Sequence, residues 1–574
     1  MEQDRVYVSP RPLPGPPGPA DDIWFGGTIY TIDQENRTAG ALAVKGGRIT
    51  AVGGEEEVFA LRGEGTRLHD LCGHTVLPGM IDTHTHAPGV LEKKMFTIFM
   101  GDAETKEEAV AAARDFIEAH PGMDRYFGFG YSNKIAGDWR GPKKEWLDEV
   151  CKDKPIVIQA MEGHSWWVNS KGFSLFGVER DTVPASGVIH HDEDGELWGT
   201  ICDIQGVEIP RPRFSEEQDM VALRAYQEQM HRFGYTGMMS MSGQITPNPV
   251  AAMHELDGRG ELKMRVSASL TVYPEREIGE QLDYIARKRE EYRSERLDLR
   301  VAKFFGDGTT GGGTAYLSEP YSNAAPGEEA QCGYFLWERE KLAAAFLGAL
   351  RRGLQIHIHS IGDESTSVAL DCIGQAQREA GEGDWRTGVA HLDVTKPRDI
   401  PRLAALHCTA AVQTFWHFKE PGVWEEELLP MLGPERAERV YPLRSLFEAG
   451  IVVTNSSDEP STVDPNPFQA IEAGVTRNLY SPEKYGVEPI TDADDPKWLL
   501  GPDERVSVLE MVRSYTINAA YAMFKEDMLG SLEVGKYADF LELSQDIFHC
   551  DPLMIERTRV LRTVFDGEIV YESK

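Results

Sequence analysis

From about residue 75 to residue 529 the chain repeats one pattern, a short apolar or β-branched run followed by a longer amphipathic stretch. Parallel strands cannot be joined by tight hairpins and need crossover segments, so this alternation predicts βα units around a parallel sheet. Nine runs read as strands: 75–82, 155–160, 236–241, 265–272, 300–306, 354–360, 387–393, 409–415 and 451–457. Helical periodicity is clear over 216–233 behind Ser215, and over 276–293, 337–352 and 506–524. A (β/α)8 barrel takes eight strands, one fewer than the runs available. The interval 88–212 accounts for the surplus: it is too long for one connection and holds the 155–160 run with its own turns. The expected class is therefore α/β, with a barrel over 76–87 and 213–529 and, after strand one, an inserted subdomain over 88–212 that contributes to the substrate pocket.

The two ends have a different character. Residues 21–75 and 530–574 are short strand-like runs punctuated by glycine, and neither piece alone has enough strands to bury a core. Together they predict one small β-sandwich built from both termini. Residues 1–20 are Pro-rich and acidic, with no apolar core of a signal peptide, and read as a disordered leader of a cytoplasmic protein. No run approaches the roughly 18 apolar residues of a membrane helix. Against 59 Lys and Arg stand 93 Asp and Glu, a net charge of −34 that repels nucleic acid and anionic lipid, so neither is an expected partner. The seven cysteines are scattered and never form a C-x-x-C pair, which favours reduced thiols over a disulfide framework or a thiolate zinc site.

Chemistry concentrates at the ends of the barrel runs. The first closes on Asp82-Thr83-His84-Thr85-His86. Side chains alternate along a strand, so His84 and His86 share a face and two imidazoles can meet one cation. An isolated H-x-H is equally at home in a polar turn, but His359, His391 and Asp458 also end their runs. With the insertion removed, His84 and His86, Lys303, His359, His391 and Asp458 fall on strands one, four, five, six and eight, at the C-terminal face where barrels present functional side chains. His357 lies one layer deeper, as a packed or supporting histidine. Gly362-Asp363 reads as a βα turn with Asp363 as helix cap, and no phosphate-binding loop occurs.

The stretches LPGMIDTHTH, EGHSWWVNS, VAKFFGDG, IHSIGDEST, VAHLDVTKPRDIPRLAAL, YPLRSLFEAGIVVTNSSDEPSTVDPNPFQAIEAGVTRN and SYTINAAYAMFKEDMLGSLEVGKYADFLEL, in that order from 77 to 543, resemble the amidohydrolase superfamily, in its branch of YtcJ-like proteins and N-substituted formamide deformylases. The resemblance implies a metal-dependent hydrolase that cleaves an amide, formamide or cyclic amide C–N bond of a small molecule. It implies a metal centre of one or two ions, zinc by default with manganese or iron as alternatives, held by His84, His86, Lys303, His359, His391 and Asp458. Lys303 would carry CO2 as a carbamate able to bridge two metals. His164 would donate a hydrogen bond to the substrate carbonyl, and Asp458 would move a proton from water to the leaving nitrogen. Trp166 and Trp167 read as subdomain core or as pocket wall, and with Met239 are carried as candidate pocket residues. Met239 belongs to a methionine-rich run where the family often has a His-Asp pair, which leaves the substrate open. A homodimer is also left open. Two rival readings remain: deamination or decarboxylation on the same barrel, and a lapsed metal-binding barrel serving as a subunit or scaffold.

Overall fold

The computed structural model describes the chain except residues 1–14, 16–17, 102, 139, 162–164, 185, 206–209, 211, 242–248 and 324–330. Two compact units result: Met1–Ala87 with Tyr226–Lys574, and Pro88–Ala225. The second unit runs past the Pro212 boundary expected from sequence.

In the first unit eight parallel strands form one sheet in chain order. They are β1 (Met80–Thr85), β2 (Tyr235–Ser240), β3 (Arg265–Thr271), β4 (Leu297–Phe305), β5 (Gln355–Ser360), β6 (Gly388–His391), β7 (Thr409–Val412) and β8 (Val452–Asn455). Their register pairs Thr271 with Lys303, Phe305 with His359, and Ser360 with His391, so the chemically active residues gather at one end. β1 and β8 lie at opposite ends of this hydrogen-bonded order. Side chains and flanking backbone join them. Thr83 Oγ1 lies 2.9 Å from both Thr454 Oγ1 and Asn455 O, and Ser457 Oγ donates to Asp82 at 2.5 Å. Beyond the strands, Asp458 N donates to His84 O and His86 N to Glu459 O.

The first predicted run is shared between two sheets. Thr75–Pro78 pairs antiparallel with Phe540–Leu543, and the chain turns into β1 through Gly79, where any Cβ would collide with the Thr236 side chain. The predicted 506–524 helix is likewise two helices, Val508–Tyr515 and Ile517–Ala522. Ser514 Oγ and Thr516 Oγ1 donate back to the carbonyls of Met511 and Val512 there, a competition with the helical ladder that ends the first segment. Asp363 does not cap its helix: Gly362 holds the cap position, and the Asp363 carboxylate accepts instead from the backbone N–H and hydroxyl of Ser318.

Strands from both chain ends form one eight-stranded sheet, with Asp22–Tyr30 and Thr75–Pro78 at its centre. Trp24, Leu42, Val44, Phe540 and Val564 pack into one of its cores. Arg265, 1% exposed on β3, ties this sheet to the barrel: its guanidinium bonds Asp539 and Asp566 and lies 3.6 Å over the Tyr537 ring.

The second unit is built on a six-stranded sheet that includes Ile156–Ala160 and Ser165–Val168. Here the expectation that Trp166 and Trp167 wall a pocket is corrected. Neighbours on a strand point to opposite faces, and each tryptophan fills its own core. Trp167 packs with Tyr126, Ile158 and Leu147 and donates from Nε1 to Lys143 O; Trp166 packs with Phe173, Phe176 and Ile201. None of the seven cysteines forms a disulfide, and no helix among the described residues is long and apolar enough to cross a membrane.

Candidate metal centre

The C-terminal ends of β1 and β8 bring three donor atoms together. His86 Nε2 lies 3.1 Å, and His84 Nε2 3.5 Å, from Asp458 Oδ1, and the set spans no more than 4.8 Å. Lys303, at the same level on β4 and fully buried, places Nζ 3.2 Å from His84 Nε2. The other nitrogen of His84 meets His357 Nε2 at 3.0 Å, so His357 on β5 sets how the His84 ring is turned.

His391 and His359 flank this trio. The His391 ring centroid lies 5.0 Å from that of His84 and 4.3 Å from that of His359. Its Nδ1 bonds Gln413 Oε1 at 2.9 Å, while its Nε2 is buried without a partner. His359 turns its Nε2 toward Gly308 O at 3.2 Å, with Asp307 Oδ1 at 3.7 Å, so it stands beside the trio with its nitrogen engaged elsewhere. Asp307 is held by the N–H groups of Tyr316, Ile361 and Gly362, which makes the glycine-rich turn after β4 a fixed one.

Backbone strain sits at the same place. His391, Leu392 and Asp458 have φ of 76°, 59° and 51°, the left-handed region that residues other than glycine seldom adopt. The sharp turns re-aim side chains as the chain leaves β6 and β8.

Electrostatics follow from burial beside like and unlike charges. Burial, reinforced by Lys303 and neighbouring histidines, holds His84 well below the ordinary imidazole range. Burial likewise pushes His391 down to about 4. These rings are neutral at pH 7 and carry lone pairs. Burial pushes Lys303 down to about 7, so a substantial share of it is a free amine at neutral pH. Burial works to raise Asp458, yet the His86 hydrogen bond and the electrostatic pull of the neighbouring basic groups hold it at about 2, ionised. A divalent cation suits this set: imidazole nitrogens and an ionised carboxylate are its usual ligands, and the buried Nε2 of His391 has no partner among the described residues.

Met239 is also corrected as a pocket residue. At 1% exposure it packs with Ile81, Met241, Val301 and the helix residues Ala519, Ala520 and Ala522, as closed core. An apolar substrate therefore gains no support from Trp166, Trp167 or Met239. His164 lies outside the described residues. Gln413, Ser457 and Asp82 enter the site without having been singled out from sequence. Gln413 directly follows β7, so the rule that flagged His391 and Asp458, a polar group at a barrel strand's C-terminal end, applies to it too.

The sequence profile of the amidohydrolase family matches residues 67–571. The chain is 29% identical to Protein LONG AFTER FAR-RED 3 of Arabidopsis thaliana, over 94% of this chain and 90% of that one. It is 27% identical to the putative amidohydrolase YtcJ of Bacillus subtilis (96% and 99% covered) and 25% identical to N-substituted formamide deformylase of Arthrobacter pascens (95% and 97%). In three dimensions it resembles an uncharacterized metal-dependent hydrolase from Pyrococcus horikoshii, with a TM-score of 0.72 at 24% identity, covering 92% of this chain and 99% of the other.

Proposed function

Because the chain belongs to the amidohydrolase family, we propose that it is a metal-dependent hydrolase of a carbon–nitrogen bond in a small molecule, of the amide, formamide or cyclic amide type. The observation that carries this reading is the convergence of His84 Nε2, His86 Nε2 and Asp458 Oδ1 at the barrel mouth, next to the unpartnered Nε2 of His391. His84, His86, His391 and Asp458 would hold the ion, with His359 and Lys303 at its margin. Zinc is our choice of metal, since imidazole nitrogens with a carboxylate oxygen suit it. A bound divalent cation supplies a Lewis acid for the carbonyl and lowers the pKa of water to about 7.

The protein's own groups account for the proton. Asp458 is ionised across the neutral range, so its carboxylate can accept a proton from the attacking water and return it to the departing nitrogen. His357 keeps His84 turned toward the centre. Lys303, buried and with a substantial share unprotonated at neutral pH, has the free amine that carbamate formation with CO2 requires, which supports the carboxylated lysine that the family resemblance implies. His164 keeps its proposed role as hydrogen-bond donor to the substrate carbonyl. The similarity to the formamide deformylase makes N-substituted formamides the first substrates to try. The test is metal analysis of protein purified without added metal, coupled to a panel of formamides, acyl amides and cyclic amides. Release of acid and amine, lost on chelation and restored by zinc, is expected. Ammonia or CO2 as the product would favour the deaminase or decarboxylase reading, and bound metal without turnover the lapsed barrel.

A further inference from the structure

We infer that Gln413 is a positioning residue that fixes His391 in a single tautomer, with the proton on Nδ1 and the lone pair of Nε2 directed to the cation site. A buried chain of hydrogen bonds from β6 to β8 fixes where each proton lies. Ser456 Oγ has one proton, and it goes to Val412 O, a carbonyl that can only accept. Ser456 Oγ can therefore only accept from Gln413, at 2.8 Å. The Gln413 atom facing it must be the amide nitrogen, and the same nitrogen reaches a second pure acceptor, Ala411 O, at 3.3 Å. Two acceptors thus settle which way the amide is turned. Gln413 Oε1 then faces His391 Nδ1 at 2.9 Å and can only accept, so Nδ1 carries the hydrogen.

A neutral imidazole has one N–H, which leaves Nε2 as the bare lone pair. That is the buried nitrogen without a protein partner. Gln413 and Ser456 are both buried, so water offers no competing pattern. Gln413 lies beyond the imidazole from the centre and acts only through His391. For the neutral ring the tautomer follows from these hydrogen bonds, whereas its consequence for metal binding rests on the function proposed above.

Selective 15N-histidine spectra of the metal-free full-length chain read the tautomer, with the His391 signals assigned by their loss in His391→Asn. A protonated Nδ1 and an unprotonated Nε2 are expected. In Gln413→Met the anchor is gone, and the signals should move toward the Nε2–H form. Zinc affinity, measured by competition with a chelator, should fall about 10–100-fold. Gln413→Glu can still accept from Nδ1 once Ser456 Oγ turns its proton to the second carboxylate oxygen, and should keep the tautomer. An Nε2–H signature in the wild type overturns the inference, and that measurement stands even if Gln413→Met does not fold. An unchanged tautomer or unchanged zinc affinity in folded Gln413→Met overturns it as well. If the wild type binds no zinc and hydrolyses nothing while Gln413→Met still switches the tautomer, the function reading fails and the tautomer assignment survives.

Discussion

Replacing Asp458 by Asn separates the two tasks its carboxylate can perform. One is structural: Oδ2 accepts from Ser461 Oγ at 3.2 Å in the turn after β8. An asparagine oxygen can take over that bond, and even its complete loss is a loss of about 0.5–1.5 kcal/mol of stability. The other is chemical: Oδ1 faces His86 and His84, where a neutral amide can accept a hydrogen bond but not a proton. Removing a general acid–base group lowers kcat by about 10²–10⁴. At about 1.36 kcal/mol per decade, that is a barrier higher by about 2.7–5.4 kcal/mol, well above the structural term. Asp458→Asn should therefore fold, keep most of its metal through the remaining histidines, and lose turnover. Metal content, denaturation midpoint and kcat on the best substrate of the amide panel are read from one preparation, with Ser461→Ala as comparison. Ser461→Ala should show the small stability loss with near-normal kcat. A kcat for Asp458→Asn within about threefold of wild type at equal metal content would refute the assignment of this carboxylate as the proton carrier.

His86→Ala and His391→Ala should each lose bound metal and activity, read by metal analysis and turnover; full metal and wild-type rates in both would show that these imidazoles are not ligands. Lys303→Ala should lower metal content, and a small acid such as acetate should restore part of the activity by standing in for the carbamate. An active alanine variant, with no carbamate mass on the wild-type lysine, counts against that role. Arg265→Met leaves Asp539 buried without its partner and should cost about 3 kcal/mol or more by denaturant titration, with the barrel and the terminal sheet loosening together. A loss under about 1 kcal/mol would mean that the pair contributes little to joining them.

The barrel was legible because short apolar or β-branched runs alternate with longer amphipathic stretches, and seven of its eight runs need only shifts at their ends. The first run is two strands, since Thr75–Pro78 leads directly into the apolar Met80 and Ile81 and only the close approach of Gly79 to Thr236 marks the break. The ligand candidates were visible as strand-end residues, whereas their aim was not. His359 engages Gly308 O because of how the turn at Asp307 folds, a tertiary fact with no trace in the local sequence. The left-handed backbone at His391 and Asp458 is equally silent, as neither position is a glycine. The tryptophan pair shows a signal that was available: adjacent strand residues cannot both face one pocket, and alternation alone sends Trp166 and Trp167 apart.

The donors gather at the β1–β8 seam for a reason rooted in register. In the rest of the sheet, neighbouring strands are fixed by ladders that tolerate changes of side chain. At the seam the contacts are specific: Thr83 with Thr454 and Asn455, Asp82 with Ser457, and the backbone of His84 and His86 with Asp458 and Glu459. Thr83, which bonds across the seam, alternates with His84 and His86 along β1. A slip of one residue would turn Thr83 and Thr85 toward the centre and His84 and His86 away from it. The bonds that hold the seam therefore also determine which side chains reach the cation. Asp82 shows the cost: burial raises its carboxyl to about 7, and only the Ser457 hydroxyl and the N–H groups of His84 and Ser457 offset that burial. A buried carboxyl of this kind is a poor choice for closing a barrel on stability grounds alone. Its place two residues before His84 makes sense as a register pin, because its bonds to Ser457 hold the strand carrying His84 and His86 beside the one that delivers Asp458.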